Sequence, residues 1–275
     1  MKKKSFTNII LILMLIAGLS LLIYPSFSDY WNSKHQTRAI ANYAEVVAQM
    51  DDENYDEIWN AAREYNRSLN ERQNCYVLSD EQLEEYNRLL NISGNGIMGY
   101  IEIPKIDCSL PIYHGVDESV LQVAVGHIEW TSLPVGGDGS HCVMSGHRGL
   151  PSAKLFTHLD QLLVGDLFML SVLDEVLTYE VDQILIVEPH ELDALAIEEG
   201  KDYCTLVTCT PYGVNSHRLL VRGHRVENQE VASTIRVTAD AIRIEPIVIA
   251  PFVAMPILFV LLIALFIRHP KKKKS

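Results

Sequence analysis

Two uncharged apolar runs, one near each end of the 275-residue chain, limit what this sequence can fold into. The first, in "KKKSFTNIILILMLIAGLSLLIYP", extends from Phe6 to Tyr24, and the second, "PIVIAPFVAMPILFVLLIALFI", from Pro246 to Ile267. A helix of roughly 20 apolar residues crosses the hydrocarbon core of a bilayer, so each run is expected to be a transmembrane helix. The first lacks a small-x-small exit site and is read as an uncleaved anchor rather than a removed signal peptide. The second contains Pro251 and Pro256, which membrane helices tolerate. Lys2, Lys3 and Lys4 precede the first run, while Arg268 and Lys271 to Lys274 follow the second. Basic flanks stay in the cytoplasm, so both ends are expected there and the intervening chain outside the cell, in a two-pass cell-membrane topology.

That intervening segment is strongly acidic. Of 23 Lys and Arg, eight lie in the two flanks, which leaves 15 against all 35 Asp and Glu, a formal balance of −20. Such a surface repels polyphosphate, which excludes a nucleic-acid role, and it is read first as a solvated surface. Five cysteines, Cys75, Cys108, Cys142, Cys204 and Cys209, leave at least one thiol unpaired within the chain. They form no Cys-x-x-Cys pair and no histidine cluster completes a zinc pattern, so no metal and no cofactor are expected.

Residues 28–96 read as helical, with a break. "HQTRAIANYAEVVAQM" sets Ile40, Tyr43, Ala44, Val47 and Met50 at helical spacing, and "YDEIWNAAREYNRSL" does the same with Ile58, Ala62, Tyr65 and Leu69. Ser79 with Gln82 three residues on is a capping box opening a further helix. Between them "NERQNCYVLS" is irregular. From "GNGIMGYIEIPKI" the period changes to two, and strand candidates follow in "SLPIYHG", "HCVMSG", "DLFMLSVL", "VLTYEVDQILIVE", "YCTLVTC" and "HRLLVRGHRV". Asp174-Glu175 is expected to turn a hairpin, and short helices fit "SVLQVAVGHI" and "AKLFTHLDQL". Regularly spaced strands separated by turn residues predict a mainly β, closed or partly closed barrel with short helices. The expected organisation is a cytoplasmic tail and anchor over 1–27, a helical region over 28–96, the barrel over 97–228, a linker over 229–245, the second span over 246–267 and a basic tail over 268–275.

Within the barrel one cysteine is placed for chemistry. In "YCTLVTC", Thr205, Val207 and Cys209 share one face of a strand, and "TPYG" turns the chain directly after Cys209. In the next strand Arg218, Leu220 and Arg222 share a face, and a hairpin between the two brings Cys209 near Arg218. A thiol with a reference pKa of about 8.5 needs a positive neighbour or a base before it reacts at neutral pH. Arg218 supplies fixed charge and donors for an oxyanion. The proton carrier must come from His114, His127, His141, His147, His158, His190, His217 or His224, among which periodicity does not choose. His147 sits in a glycine-flanked loop after a strand, where a ring can face a cleft. Packing is the competing reading for Cys209.

"TLVTC" with "NSHRLLVRG", "SGHRGLPSAKLFTHLDQL" and "GIMGYIEIPKIDCSLPIYHG" together resemble the sortases, cysteine transpeptidases of Gram-positive surfaces, over about 130 residues from Ile97 to Val226. "HRGLPSAKLF", "TCTPYGVNSHRLLVRG" and the C-terminal apolar run are most similar to class C, the pilin-polymerising sortases. The resemblance implies Cys209 as nucleophile, His147 as general acid and base, and Arg218 as the oxyanion-stabilising or substrate-positioning group. It leaves Cys75, Cys108, Cys142 and Cys204 to packing, and Arg148, Arg222 and His217 to structural or solvent-facing roles. It further implies cleavage of a Leu-Pro-x-Thr-Gly-like sorting signal of a pilin or surface protein and transfer to a lysine amine of a pilin subunit. Class C sortases commonly carry an Asp-Pro-aromatic lid triplet, and residues 30–96 contain none. "NERQNCYVLS" lies where a lid would be, with Cys75 or Tyr76 available as a plug. Three rival readings remain: transfer to a cell-wall precursor amine, hydrolysis, and a non-catalytic membrane-tethered binding protein.

Overall fold

Eight strands close on themselves to form the body of this protein, in the order β1-β2-β3-β4-β7-β8-β6-β5. The computed structural model describes residues 2–71 and 76–228. Cys75, the linker 229–245, the second apolar run 246–267 and the basic tail 268–275 therefore lie outside the described residues.

The strands are β1 (Ile97–Ile103), β2 (Cys108–His114), β3 (Val125–His127), β4 (Ser140–Ser145), β5 (Leu167–Val172), β6 (Glu175–Val187), β7 (Asp202–Thr210) and β8 (His217–Val226). Alternation sends Ile101, Ile103, Leu110, Ile112, Cys142, Met144, Phe168, Leu170, Cys204, Leu206, Leu219 and Val221 into one continuous core. Full burial of each large apolar side chain is worth about 1.5–3 kcal/mol. Pairing is antiparallel except for β2 with β3 and β4 with β7. Two parallel neighbours need a long crossover, and here the β5–β6 hairpin and the segment after it serve as the one between β4 and β7.

Four helices accompany the barrel among the described residues: α1 (Lys2–Ala48), α2 (Asp52–Glu71), α3 (Asp80–Arg88) and α4 (Glu118–Leu121). Helix α1 runs straight through Pro25, carrying the apolar run and the periodic stretch after it as one rod. Its N-terminal part has the length and composition to cross a membrane, with Leu11, Leu13, Met14, Ile16, Leu21 and Leu22 all exposed. Its C-terminal part is docked on the barrel. The Tyr43 hydroxyl donates to the Met98 carbonyl and accepts from the Leu173 amide, both at 2.8 Å. From α2, the Asn66 side chain donates to the Leu133 carbonyl at 3.0 Å and accepts from the Leu133 amide at 2.7 Å. Ser79 and Gln82 form the expected capping box on α3.

Two expected helices are not formed as read. In "SVLQVAVGHI" only Ser119 to Leu121, the end of α4, is helical, and Val125–His127 is strand β3, bonded to β2 on one side and β4 on the other. Barrel closure overrides the local pattern there, because an unpaired β2 edge would leave backbone groups unsatisfied. In "AKLFTHLDQL" only Leu159–Gln161 makes a 3-10 turn. Phe156 and Leu159 are drawn into the core and leave no room for a longer helix. The β5–β6 turn is also one residue earlier than expected: Val172 pairs with Glu175, so Leu173 and Asp174 occupy the loop, Leu173 with φ of 53°.

Candidate active site

Three strand ends meet at one place on the barrel rim. Strands β4 and β7 pair in parallel register from Ser140↔Asp202 to Ser145↔Val207. The association continues past the strand, since the Gly146 amide donates to the Val207 carbonyl at 3.1 Å and the Thr208 hydroxyl donates to the Gly146 carbonyl at 2.7 Å. The same offset of 62 residues aligns His147 with Cys209. On the other side of β7, Cys209 pairs directly with Arg218 of β8. Extended by that offset, His147 in the loop after β4 falls in one lateral row with Cys209 and Arg218, one row beyond Ser145, Val207 and Leu220. Lateral partners in a sheet project to the same face.

That face is the outer one. Val207, Val143 and Leu220 form, with Leu195, a small apolar cluster apart from the barrel core, edged by Ile128, Trp130, Leu185, Val187, Leu192 and Ala194. It makes an apolar strip that ends at Cys209. The Tyr76 ring packs edge-on against Trp130 at 5.0 Å, so the chain returning from the segment that could hold a lid lies at the margin of this strip.

The loop after β4 is built to carry the histidine. Gly146 must be glycine, because a Cβ there would stand 2.7 Å from Cδ2 of the buried Phe156 ring. The Phe156 amide returns to donate to the His147 carbonyl at 3.1 Å, closing the loop. Gly149, at φ of +79°, takes a backbone conformation that favours glycine and lies beside the exposed Tyr212 ring. Arg148 is 9% exposed and ties this loop to its surroundings. It pairs with Asp160, donates to the Thr210 hydroxyl at 3.3 Å and lies over the Tyr212 ring. Its structural reading therefore stands, although its partners flank Cys209. Adjacent position in "GHRG" was its only sequence signal. Arg222 is likewise structural, bidentate to Asp182 at 3.0 Å and stacked on Tyr203. His217 contacts Ser216.

Among the three grouped residues, Cys209 is half-buried. The Arg218 guanidinium donates through Nη1 to the carbonyls of His217 at 3.1 Å and Asn215 at 3.3 Å. The His147 ring is 27% exposed, and its Nε2 is enclosed without a hydrogen-bond partner, 3.7 Å from Oε2 of Glu118 on α4. No sequence signal marks Glu118, which lies 29 positions from His147 in a stretch with no motif.

Environment separates these groups from the other candidates. Burial pushes the Cys108 thiol up to about 12 and Cys142 well above its ordinary value, so neither is a thiolate at neutral pH. Cys142 and Cys204 are 1% and 0% exposed and face each other in the barrel wall. His127 is wholly enclosed, its ring held by Tyr86 and by the Ser132 carbonyl, and burial lowers its pKa to about 3. Burial also lowers His141, which bonds Ala196 and Thr205, and His114, which bonds Gly96 and Leu89. Those three rings hold structure together. His158 and His190 interact with Gln161 and Glu188. The Nδ1 of His224 is buried without a partner on β8, and residue 224 pairs with Tyr203, far along the strand from Cys209. A cleft of about 590 Å³ between α1, α2 and the β5–β6 turn contains no member of the row.

The barrel is similar to those of known sortases. The sortase domain model matches residues 101–226. The crystal structure of sortase C1 from Streptococcus agalactiae is 53% identical, with 70% of this chain and 100% of that one covered and a TM-score of 0.69. Sortase C of Clostridium perfringens, solved with the C-terminal cell wall sorting motif, is 43% identical, covers 70% of this chain and 100% of its own, and gives a TM-score of 0.62. Sortase D of Bacillus subtilis (strain 168) is 31% identical over 131 residues, 46% of this chain and 63% of that protein. The match therefore spans less than two thirds of that curated relative.

Proposed function

The chain belongs to the sortase family, and from that premise we propose that it is a membrane-anchored cysteine transpeptidase that builds covalent pili. The observation that carries the reading is the lateral row of His147, Cys209 and Arg218 at the end of an apolar strip. A Leu-Pro-x-Thr-Gly-like sorting signal of a pilin or surface protein lies along the outer face, with its threonine carbonyl at the sulfur. His147 takes the thiol proton as the sulfur attacks that carbon, and the oxyanion is met by Arg218. Collapse of the tetrahedral intermediate breaks the Thr–Gly bond, and His147 protonates the departing glycine amine, which leaves a thioester on Cys209. A lysine amine of a pilin subunit then attacks the thioester. His147 removes its proton, the new amide forms and the thiolate leaves.

The acyl group stays activated through the exchange, so neither ATP nor a metal is required. Helix α1 supports the membrane part of the reading, since substrates with apolar tails would be held on the same surface. The two-pass topology with an extracytoplasmic barrel rests on the basic flanks of both apolar runs.

The test is a reaction of full-length protein with a sorting-signal peptide, followed by intact mass. An acyl adduct on Cys209, absent from Cys209→Ala, is expected. Adding a pilin fragment together with a cell-wall peptide amine then identifies the acceptor. Product on the pilin lysine supports polymerisation, product on the wall amine supports anchoring, and free acid alone would mean hydrolysis. No adduct with any sorting-signal peptide would overturn the transpeptidase reading and favour a tethered binding protein.

A further inference from the structure

We propose that Glu118 is a positioning residue for acyl transfer, its carboxylate receiving the Nε2–H of the His147 imidazolium. The proposal rests on the reading of His147 as the acid–base group. When the Cys209 proton moves to the ring, both ring nitrogens carry hydrogen. With Nε2 directed at Glu118, Nδ1 is left to exchange that proton with the sulfur. Nε2 is enclosed and has no hydrogen-bond partner, so a cation formed there would bury an unsatisfied charged donor. The Glu118 Oε2 is 3.7 Å from it, and a side-chain movement of roughly 1 Å brings it to hydrogen-bond distance.

The carboxylate is aimed. Its Oε1 accepts from the Gln122 side chain one helical turn on, which leaves Oε2 toward the ring. Helix α4 is itself held from the other side, where the Gln36 side chain of α1 donates to the Val123 carbonyl at 2.7 Å.

The remaining charged groups around the ring are otherwise engaged. Arg148 on the histidine's own loop is taken up by Asp160 and Thr210, and Arg218 on β8 bonds main-chain carbonyls. Cys209 lies on β7, the strand next to the histidine's loop. Among the described residues Glu118 is the carboxylate within ion-pairing reach of His147. It does not take the proton; it stabilises the ring that has taken it, as the buried carboxylate does in hydrolase triads. Glu118 is 72% exposed, so solvent screens the pair and the effect is modest.

The competing view is that Glu118 is only a solvated helix residue paired with Gln122. Full-length protein in detergent separates the two without any substrate. The rate of Cys209 alkylation by iodoacetamide is followed by mass from pH 5 to 9 in wild type, Glu118→Gln, Glu118→Asp and His147→Ala. We expect Glu118→Gln to lower the alkaline limit of the pH window of fast alkylation, where the imidazolium is lost, and to slow alkylation about 2–5-fold at neutral pH. Glu118→Asp should recover most of the rate, and added salt should shrink the gap between wild type and Gln. With a sorting-signal peptide, kcat falls by the same factor and KM is unchanged. If Glu118→Gln alkylates and turns over like wild type while His147→Ala is impaired, the proposal is wrong and the acid–base reading stands. If His147→Ala alkylates like wild type, the acid–base reading fails and takes this proposal with it.

Discussion

Cys209, Cys142 and Cys204 have the same side chain on neighbouring strands, and burial separates what each can do. Cys142 and Cys204 point into the barrel and are sealed there, while Cys209 points outward at a strand end. Cys209→Ala is therefore expected to abolish peptide cleavage and leave the melting temperature within a few degrees of wild type. Cys142→Ser should do the reverse, retaining the adduct on Cys209 while costing about 1–3 kcal/mol for a hydroxyl placed in an apolar wall, read from denaturant midpoints. Arg218→Lys keeps the charge and loses the planar fork. A drop in kcat of roughly 100-fold is expected if the guanidinium meets the oxyanion, and an unchanged kcat with raised KM would assign it to ground-state binding alone. The pairing of Cys209 with Arg218 was readable from the hairpin spacing, since a short turn fixes which residues oppose. Spacing does not choose among the eight histidines; the fold sets His147 beside the β7 end that carries Cys209, because β4 and β7 pair in parallel.

At the scale of elements, the β4–β7 parallel pair and the loop from Gly146 to Phe156 place the imidazole. Gly146→Ala puts a methyl against the buried Phe156 ring, which has nowhere to go. It is expected to cost about 1–3 kcal/mol in stability and to lower kcat beyond what the lost stability explains, because His147 is the next residue. Thermal melts with turnover measured well below the transition separate the two effects. A fully active and equally stable variant would show that the loop does not set the ring position. Period-two alternation disclosed seven of the eight strands, β1, β2 and β4 to β8, because each buries one face. Strand β3 was hidden, since three residues are too few to show a period, and its state is decided by the β2 and β4 edges on either side.

For the whole molecule, helix α1 and the buried histidines set the terms. Helix α1 reaches the loop that carries His147: the Asn32 side chain donates to the Ser152 carbonyl at 2.8 Å, and Asp29 accepts from the Lys154 amide at 3.0 Å. The same helix holds α4 through Gln36. Asn32→Ala is expected to speed amide exchange across residues 147–156 while the barrel strands keep their protection, by hydrogen-exchange mass spectrometry. His127, lowered to about 3, and His114 and His141, lowered by burial, are neutral in the folded state. The unfolded chain takes up these protons below its ordinary pKa of about 6.5. Stability is thus complete above that pH and falls as pH drops below it, for His127 by about 1.4 kcal/mol per pH unit down to about 3, with His114 and His141 acting in the same direction. A melting temperature that does not fall between pH 6.5 and 5.5 would contradict this.

From residue order alone came the two apolar runs, the acidic segment between them, most of the barrel's strands and a cysteine at a strand end, because each is written in local periodicity, charge and turn chemistry. Which histidine lies in line with Cys209, and that a glutamate on a distant four-residue helix stands 3.7 Å from its ring, depended on the closing of the barrel. A parallel pair of strands separated by 62 positions has no local signature, and only the hydrogen-bonded register between β4 and β7 brings those side chains into one row.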